Sequence, residues 1–184
     1  MTTETKNDKF ELRGINHLAL VCRDMKRTVD FYTGVLGMPL TKTIELPGGA
    51  GQHFFFDIGK GDSLAFFWFP EAQESQPGVT HAPGLVGQGD ITSAHASMNH
   101  VAFDVPAEKI DEYVLKLQAA GVECTDVVNH DDSEVGASPE VNESTFVRSV
   151  YFKDPDGILL EFAAWTRELD ERDVNIEPAT AIER

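Results

Sequence analysis

The side chains best suited to hold a metal ion in this chain recur at matched places. His17 stands third in Ile15-Asn16-His17 and His100 third in Met98-Asn99-His100, each opening an apolar run, INHLAL and MNHVAF. A lone histidine on a strand is most often structural. The same position filled in both copies of one pattern points to a shared task, and neutral imidazole is a common metal ligand. Glu161 lies in GILLEFAAW, an otherwise apolar run. A carboxylate there needs a cation or strong hydrogen bonds, because an unpaired buried charge is very costly. At a sheet edge it would simply face water; beside the two histidines it becomes the third ligand. One divalent ion held by His17, His100 and Glu161 is therefore expected, and two imidazoles with a carboxylate accept Fe, Mn, Co, Ni or Zn.

The elements that must position these residues also repeat. Ile15 to Cys22 is apolar enough for a buried strand, and Asp24 then supplies an N-cap to a helix expected to run to about Leu36. Val29, Phe31, Tyr32, Val35 and Leu36 would share its apolar stripe, with Gly37 as its stop. Three strand-like runs follow, Pro39 to Leu46, His53 to Ile58 and Ser63 to Phe69, separated by PGGAGQ and GKGD turns. After MNHVAFDV the order recurs. A helix from Pro106 to about Ala120, with Ile110, Tyr113, Val114 and Leu117 at helical spacing and Gly121 behind them, precedes VECTDVV, TFVRSVYF and GILLEFAAW. An internal repeat of this kind means two copies of one βαβββ unit. We place the first at 14–69 and the second at 98–165, with 1–13 and 166–184 as flexible or loosely docked ends. The Gly-, Pro- and Ser-rich stretch 70–97 between them is long for a connector, and is read as a linker or a loop over the site.

Composition narrows the function classes. With Lys+Arg 15 against Asp+Glu 31, the net charge of −16 repels phosphate backbones and anionic lipid surfaces, so no nucleic-acid or membrane partner is expected. The start lacks a secretory pattern and no apolar run approaches the ~20 residues of a membrane span, which makes a cytoplasmic location the default. Cys22 and Cys124 form no CxxC pair and are read as buried thiols.

NHLAL, DFYTGVLGMPL, NHVAFDV and YFKDPDGILLEF together resemble the vicinal oxygen chelate superfamily, which includes glyoxalase I, bleomycin-resistance proteins, fosfomycin-resistance enzymes and extradiol ring-cleaving dioxygenases. The resemblance spans Gly14 to Trp165, and its DPDG hairpin delivers the family's terminal glutamate, here Glu161. It implies an α+β fold in which two paired βαβββ modules form a curled sheet around a metal-binding cavity, and a homodimer whose modules pair within or between chains. The family pattern can add a fourth ligand from the last strand of the first module. Here Ala65, or Phe66 with a one-residue slip, occupies that place and cannot bind metal.

The open coordination positions left by a two-histidine, one-carboxylate set suit a bidentate substrate and O2, which favours Fe(II) and an extradiol-type dioxygenase acting on a small aromatic diol. Tyr151 is similar to the extradiol tyrosine that hydrogen-bonds the bound substrate oxygen, although a strand aromatic in the core is an equal reading. Those enzymes also use a further histidine as acid or base, for which His53, His81, His95 and His130 are the candidates. Arg148 stays outside the expected site. The aromatic runs Phe54 to Phe56 and Phe66 to Phe69 are mostly core, with some rings free to line a largely apolar cavity. The alternatives are a glyoxalase-like lyase or isomerase acting through an enediolate on Zn, Ni, Co or Mn, and a non-catalytic small-molecule-binding resistance protein.

Overall fold

The computed structural model describes residues 14–176 and 178–179; the expectations for 1–13 and for 177 and 180–184 lie outside these. Among the described residues, eight strands form two four-stranded mixed sheets, an α+β architecture. The first sheet contains β1 (His17–Cys22), β2 (Leu40–Glu45), β3 (Gln52–Gly59) and β4 (Asp62–Trp68), ordered β1-β4-β3-β2. The second contains β5 (Val101–Asp104), β6 (Val128–His130), β7 (Val147–Lys153) and β8 (Leu159–Trp165), ordered β5-β8-β7-β6. In each, the first strand runs parallel to the last and the remaining pairs are antiparallel. The chain divides into two compact units, one reaching Gln76 and taking in 154–156, the other covering 77–153 and continuing from Gly157.

Strand alternation sorts each sheet into two faces. In the first unit Leu64, Phe66 and Phe56 are fully or almost fully buried, as is Tyr32 from the helix that covers them. In the second unit Val150, Phe152 and Leu160 take the equivalent place, together with Ile110 and Leu117 of α2 (Ile110–Ala119). The opposite faces carry His17, Phe55 and Phe67 in the first sheet and Glu161, Tyr151 and Ser149 in the second, as the strand registers require.

Two elements depart from expectation. The first helix is α-helical only over α1 (Met25–Val29), where Asp24 caps it by accepting from the Arg27 N–H at 3.0 Å, and then widens into a π-helix at Asp30–Val35. The Thr33 hydroxyl donates to the Val29 carbonyl at 2.6 Å, and the Leu36 N–H reaches back five residues to Phe31 O at 3.1 Å. The extra residue per turn rotates the phase. Tyr32 is driven fully into the core, while Val35, expected in the apolar stripe, is left 36% exposed. The second departure is VECTDVV, which is not a strand along its length. Only Val128–His130 joins β7, and upstream of it Cys124 makes one isolated bridge to Phe152. The Thr125 hydroxyl explains the break, because it accepts from the Tyr151 N–H at 3.0 Å and so substitutes for a backbone partner. Cys22 is buried as read, whereas Cys124 is only half-buried.

Candidate metal centre

β8 brings Glu161 into register with Ala102 of β5 on one side and Tyr151 of β7 on the other. Glu161 is only 5% exposed. One oxygen accepts from the Ser149 hydroxyl, which the pleat places two residues before Tyr151 on the same face. The other oxygen, Oε2, lies 3.1 Å from Nε2 of His100. Burial pushes the Glu161 carboxyl up, but the hydrogen bonds from His100 and Ser149 outweigh it and hold the group below its usual 4.5.

Asn99 decides which His100 nitrogen carries the proton. Its amide nitrogen donates to the Ile91 carbonyl at 2.7 Å and to the Ser93 hydroxyl at 3.2 Å, so its Oδ1, 2.9 Å from His100 Nδ1, must accept there. Neutral His100 therefore protonates Nδ1 and turns the lone pair of Nε2 toward Glu161, so Nε2 donates to the carboxylate only when the ring carries both protons. Two lone-pair donors 3.1 Å apart are satisfied only by a shared proton or a cation. This arrangement fits a divalent metal: a buried carboxylate and an imidazole, each held by an outer hydrogen bond, offering one free donor atom apiece. We expect Asn99→Ala to weaken metal binding about 10–100-fold, the usual cost of losing an outer-shell partner, with the fold retained; metal titration and circular dichroism check both halves.

The first unit repeats the same local device. His17 begins β1, and its Nδ1 lies 2.8 Å from Asn16 Oδ1. Its ring meets Phe55 edge-on at 5.6 Å. Ala19, two residues on, pairs with Ala65, just as Ala102 pairs with Glu161, so the register makes Ala65, not Phe66, the counterpart of Glu161. Ala65 is fully buried and has no donor atom. Within either unit, among the described residues, no three His, Cys, Asp or Glu side chains gather into a metal-holding group. The second unit supplies the His100–Glu161 pair, and His17 belongs to the first.

Tyr151 is 4% exposed and its hydroxyl lies 3.0 Å from Nε2 of His130, at the end of β6. Burial, and then the negative charge of Glu161, raise the phenol well above its usual range, so it stays protonated at neutral pH. Of the four histidines that sequence leaves unranked, His130 alone is hydrogen-bonded to Tyr151 among the described residues. His53 stacks on Phe67 at 3.6 Å and 10°, on the same sheet face as His17, with its Nε2 buried and unbonded. Burial and His17 lower its pKa. His81 is buried beside Gly157, and His95 is exposed. Arg148 points to the helix face, where it pairs with Asp111 at 3.2 Å and bonds Asn129 and the Ala107 carbonyl, so it is structural. Ser149 and Asn99 went unmarked in the sequence, although the repeated Asn before each histidine was a usable signal for the latter.

The pH dependence of the metal-free protein has a definite sign. Because Glu161 is depressed in the folded state, its stabilising contribution is present above 4.5 and is lost as pH falls through the lower folded value. We expect the urea midpoint of the metal-free protein to fall more steeply with acid than that of Glu161→Gln, as read from unfolding curves below the usual 4.5. Parallel curves would remove this role.

With two mixed sheets of this order, each histidine leading a first strand and the carboxylate on a last strand, the chain belongs to the Glyoxalase/Bleomycin resistance protein/Dioxygenase superfamily, whose profile it matches over residues 14–162. It is 24% identical over 157 residues to the fosfomycin resistance protein FosX of Listeria monocytogenes, covering 85% of this chain and 93% of that protein. It is 28% identical over 151 residues to the metallothiol transferase FosB of Shouchella clausii, covering 82% and 79%. MhqE of Bacillus subtilis, provisionally named a ring-cleaving dioxygenase, is 27% identical over 114 residues, 61% of this chain and 33% of its own length. Among solved structures, FosX from L. monocytogenes superposes with TM-score 0.53 at 22% identity over 84% of this chain and 95% of its own, and another crystal of it contains Mn(II) and sulfate. No described helix is long and apolar enough to cross a membrane.

Proposed function

We propose that the protein is a metal-dependent enzyme in which His17, His100 and Glu161 hold one divalent ion, and that it acts as an extradiol-type ring-cleaving dioxygenase on a small aromatic diol. The observation that carries this reading is the Tyr151–His130 pair at 3.0 Å, with Tyr151 on the strand next to Glu161. When bound as Fe(II), the ion would supply Lewis acidity toward adjacent substrate oxygens and a route for electrons from the diol, which is oxidised, to O2, which is reduced. The chain's own part is to handle protons and exclude water. Tyr151, a protonated phenol, donates a hydrogen bond to the substrate oxygen, and His130 Nε2 takes up or returns the proton behind it. Phe55 and Phe67, on the same sheet face as His17, offer an aromatic surface suited to a planar ring. The partner is thus a small molecule, and a cytoplasmic homodimer is the working expectation for its setting.

A second reading keeps the metal and drops O2. Most of this chain matches relatives named for fosfomycin resistance, and Lys42, paired with Phe55, is in register with the His17 face, where an ammonium would suit an anionic substrate. Glyoxalase-like enediolate chemistry belongs to the same non-redox class. The deciding experiment is metal analysis after anaerobic purification, followed by O2 uptake over a catechol panel and a mass assay for fosfomycin modification. About one equivalent of iron with diol-dependent uptake supports ring cleavage. Another metal with fosfomycin consumption supports the second reading, and no metal affinity overturns both.

A further inference from the structure

Neither the proposed ligands nor the Tyr151–His130 pair uses the long segment between the sheets, yet it is tightly built. The Gly78 N–H bonds the His81 carbonyl at 2.8 Å, and His81, only 6% exposed, lies so close to Gly157 that a Cβ there would stand 3.0 Å from its Nε2. The Lys153 ammonium donates to the Pro83 carbonyl at 2.5 Å. The Gly84 N–H bonds Asp90 O at 2.8 Å, closing a neck so narrow that a Cβ on Gly84 would stand 2.9 Å from that oxygen. Inside the neck a turn closes from the Gln88 N–H to Leu85 O at 3.0 Å. Beyond it, Asn99 pins Ile91 while orienting His100. The segment is therefore anchored at one end to the hairpin that carries Tyr151 and Glu161, and at the other to the residue before His100.

Between these anchors Ala82, fully buried, forms one apolar group with Tyr151 and Leu159, and Leu85, Val86 and Val128 pack against it. Leu85 and Val86 remain half-buried. They pack against the group that contains the ring whose hydroxyl meets His130, and still present apolar surface beside a buried polar cluster, the usual lining of a small-molecule site. We propose that this loop is the substrate-side wall of the site and that Leu85 and Val86 at its tip set the size of the substituent a bound diol can carry. The proposal rests on the reading of Tyr151 and Glu161 given above.

The test measures binding rather than turnover. Mn(II)-loaded wild type, the Leu85→Ala/Val86→Ala double variant and Leu85→Trp are titrated anaerobically with catechol, 3-methylcatechol and 3-phenylcatechol by calorimetry. The double variant is expected to raise affinity for 3-phenylcatechol relative to catechol about tenfold or more, the scale on which a pocket wall discriminates by apolar volume. Leu85→Trp is expected to shift the ratio the other way, with Mn(II) affinity unchanged in both. Ratios unaltered in both folded variants would overturn the wall, as would the absence of diol binding to the loaded wild type. Shifted ratios without O2 uptake by the Fe(II) protein would uphold the wall and count against ring cleavage alone.

Discussion

Replacing Glu161 by alanine is expected to lower affinity for a divalent metal by more than about a hundredfold, beyond the usual cost of losing an outer-shell partner, and to take activity below detection. The reason is local. Glu161 contributes the charged donor of the second unit, and its Oε2 is the atom toward which His100 Nε2 is turned. Alanine leaves one imidazole there, and the Ser149 hydroxyl without its acceptor. A thermal shift reads this directly, because metal at a hundred times its dissociation constant stabilises a folded protein by about 2.7 kcal/mol. Wild type should show that stabilisation and the variant should not at the same metal concentration. A Glu161→Ala protein that still binds one equivalent with wild-type affinity would move the centre elsewhere.

Tyr151→Phe should separate chemistry from binding. The substitution keeps the ring that packs with Ala82 and Leu159 and removes only the oxygen bonded to His130. We expect kcat to fall about 10²–10⁴-fold, the usual contribution of a positioned acid or base, with metal content unchanged. Because burial and Glu161 keep the phenol protonated, the loss should be equally large across the neutral pH range. His130→Asn should cost less, since Tyr151 can still donate to substrate without its relay. Steady-state rates and metal analysis on the same preparations check this, and an unchanged kcat would return Tyr151 to the core as an ordinary strand aromatic.

Much of the fold was legible because alternation and helical spacing are local signals. All four strands of the first unit lie within a residue or two of their expected bounds, and Ile110, Tyr113, Val114 and Leu117 line the inward side of α2. The π-helix was not legible, since the wider turn leaves composition untouched and only the bond from Leu36 back to Phe31 and the exposure of Val35 reveal it. VECTDVV misled for a similar reason: its β-branched residues favour extended backbone, but a single threonine hydroxyl took the place of a ladder partner.

The same division runs through the candidate site. Sequence by itself determined the repeated Asn-His pair and the carboxylate stranded in an apolar run, and narrowed the first-copy counterpart of that carboxylate to Ala65 or Phe66, because these are matters of residue type at matched positions; the strand register then chose Ala65. It could not choose among four histidines, since His130 reaches Tyr151 across 21 residues only through the β6–β7 register. Nor could it place Leu85 and Val86 against the apolar group of Ala82, Tyr151 and Leu159, or show Asn99 joining that loop to His100. Those contacts depend on hydrogen bonds and close glycine packing between segments far apart in the chain, which only the tertiary structure decides.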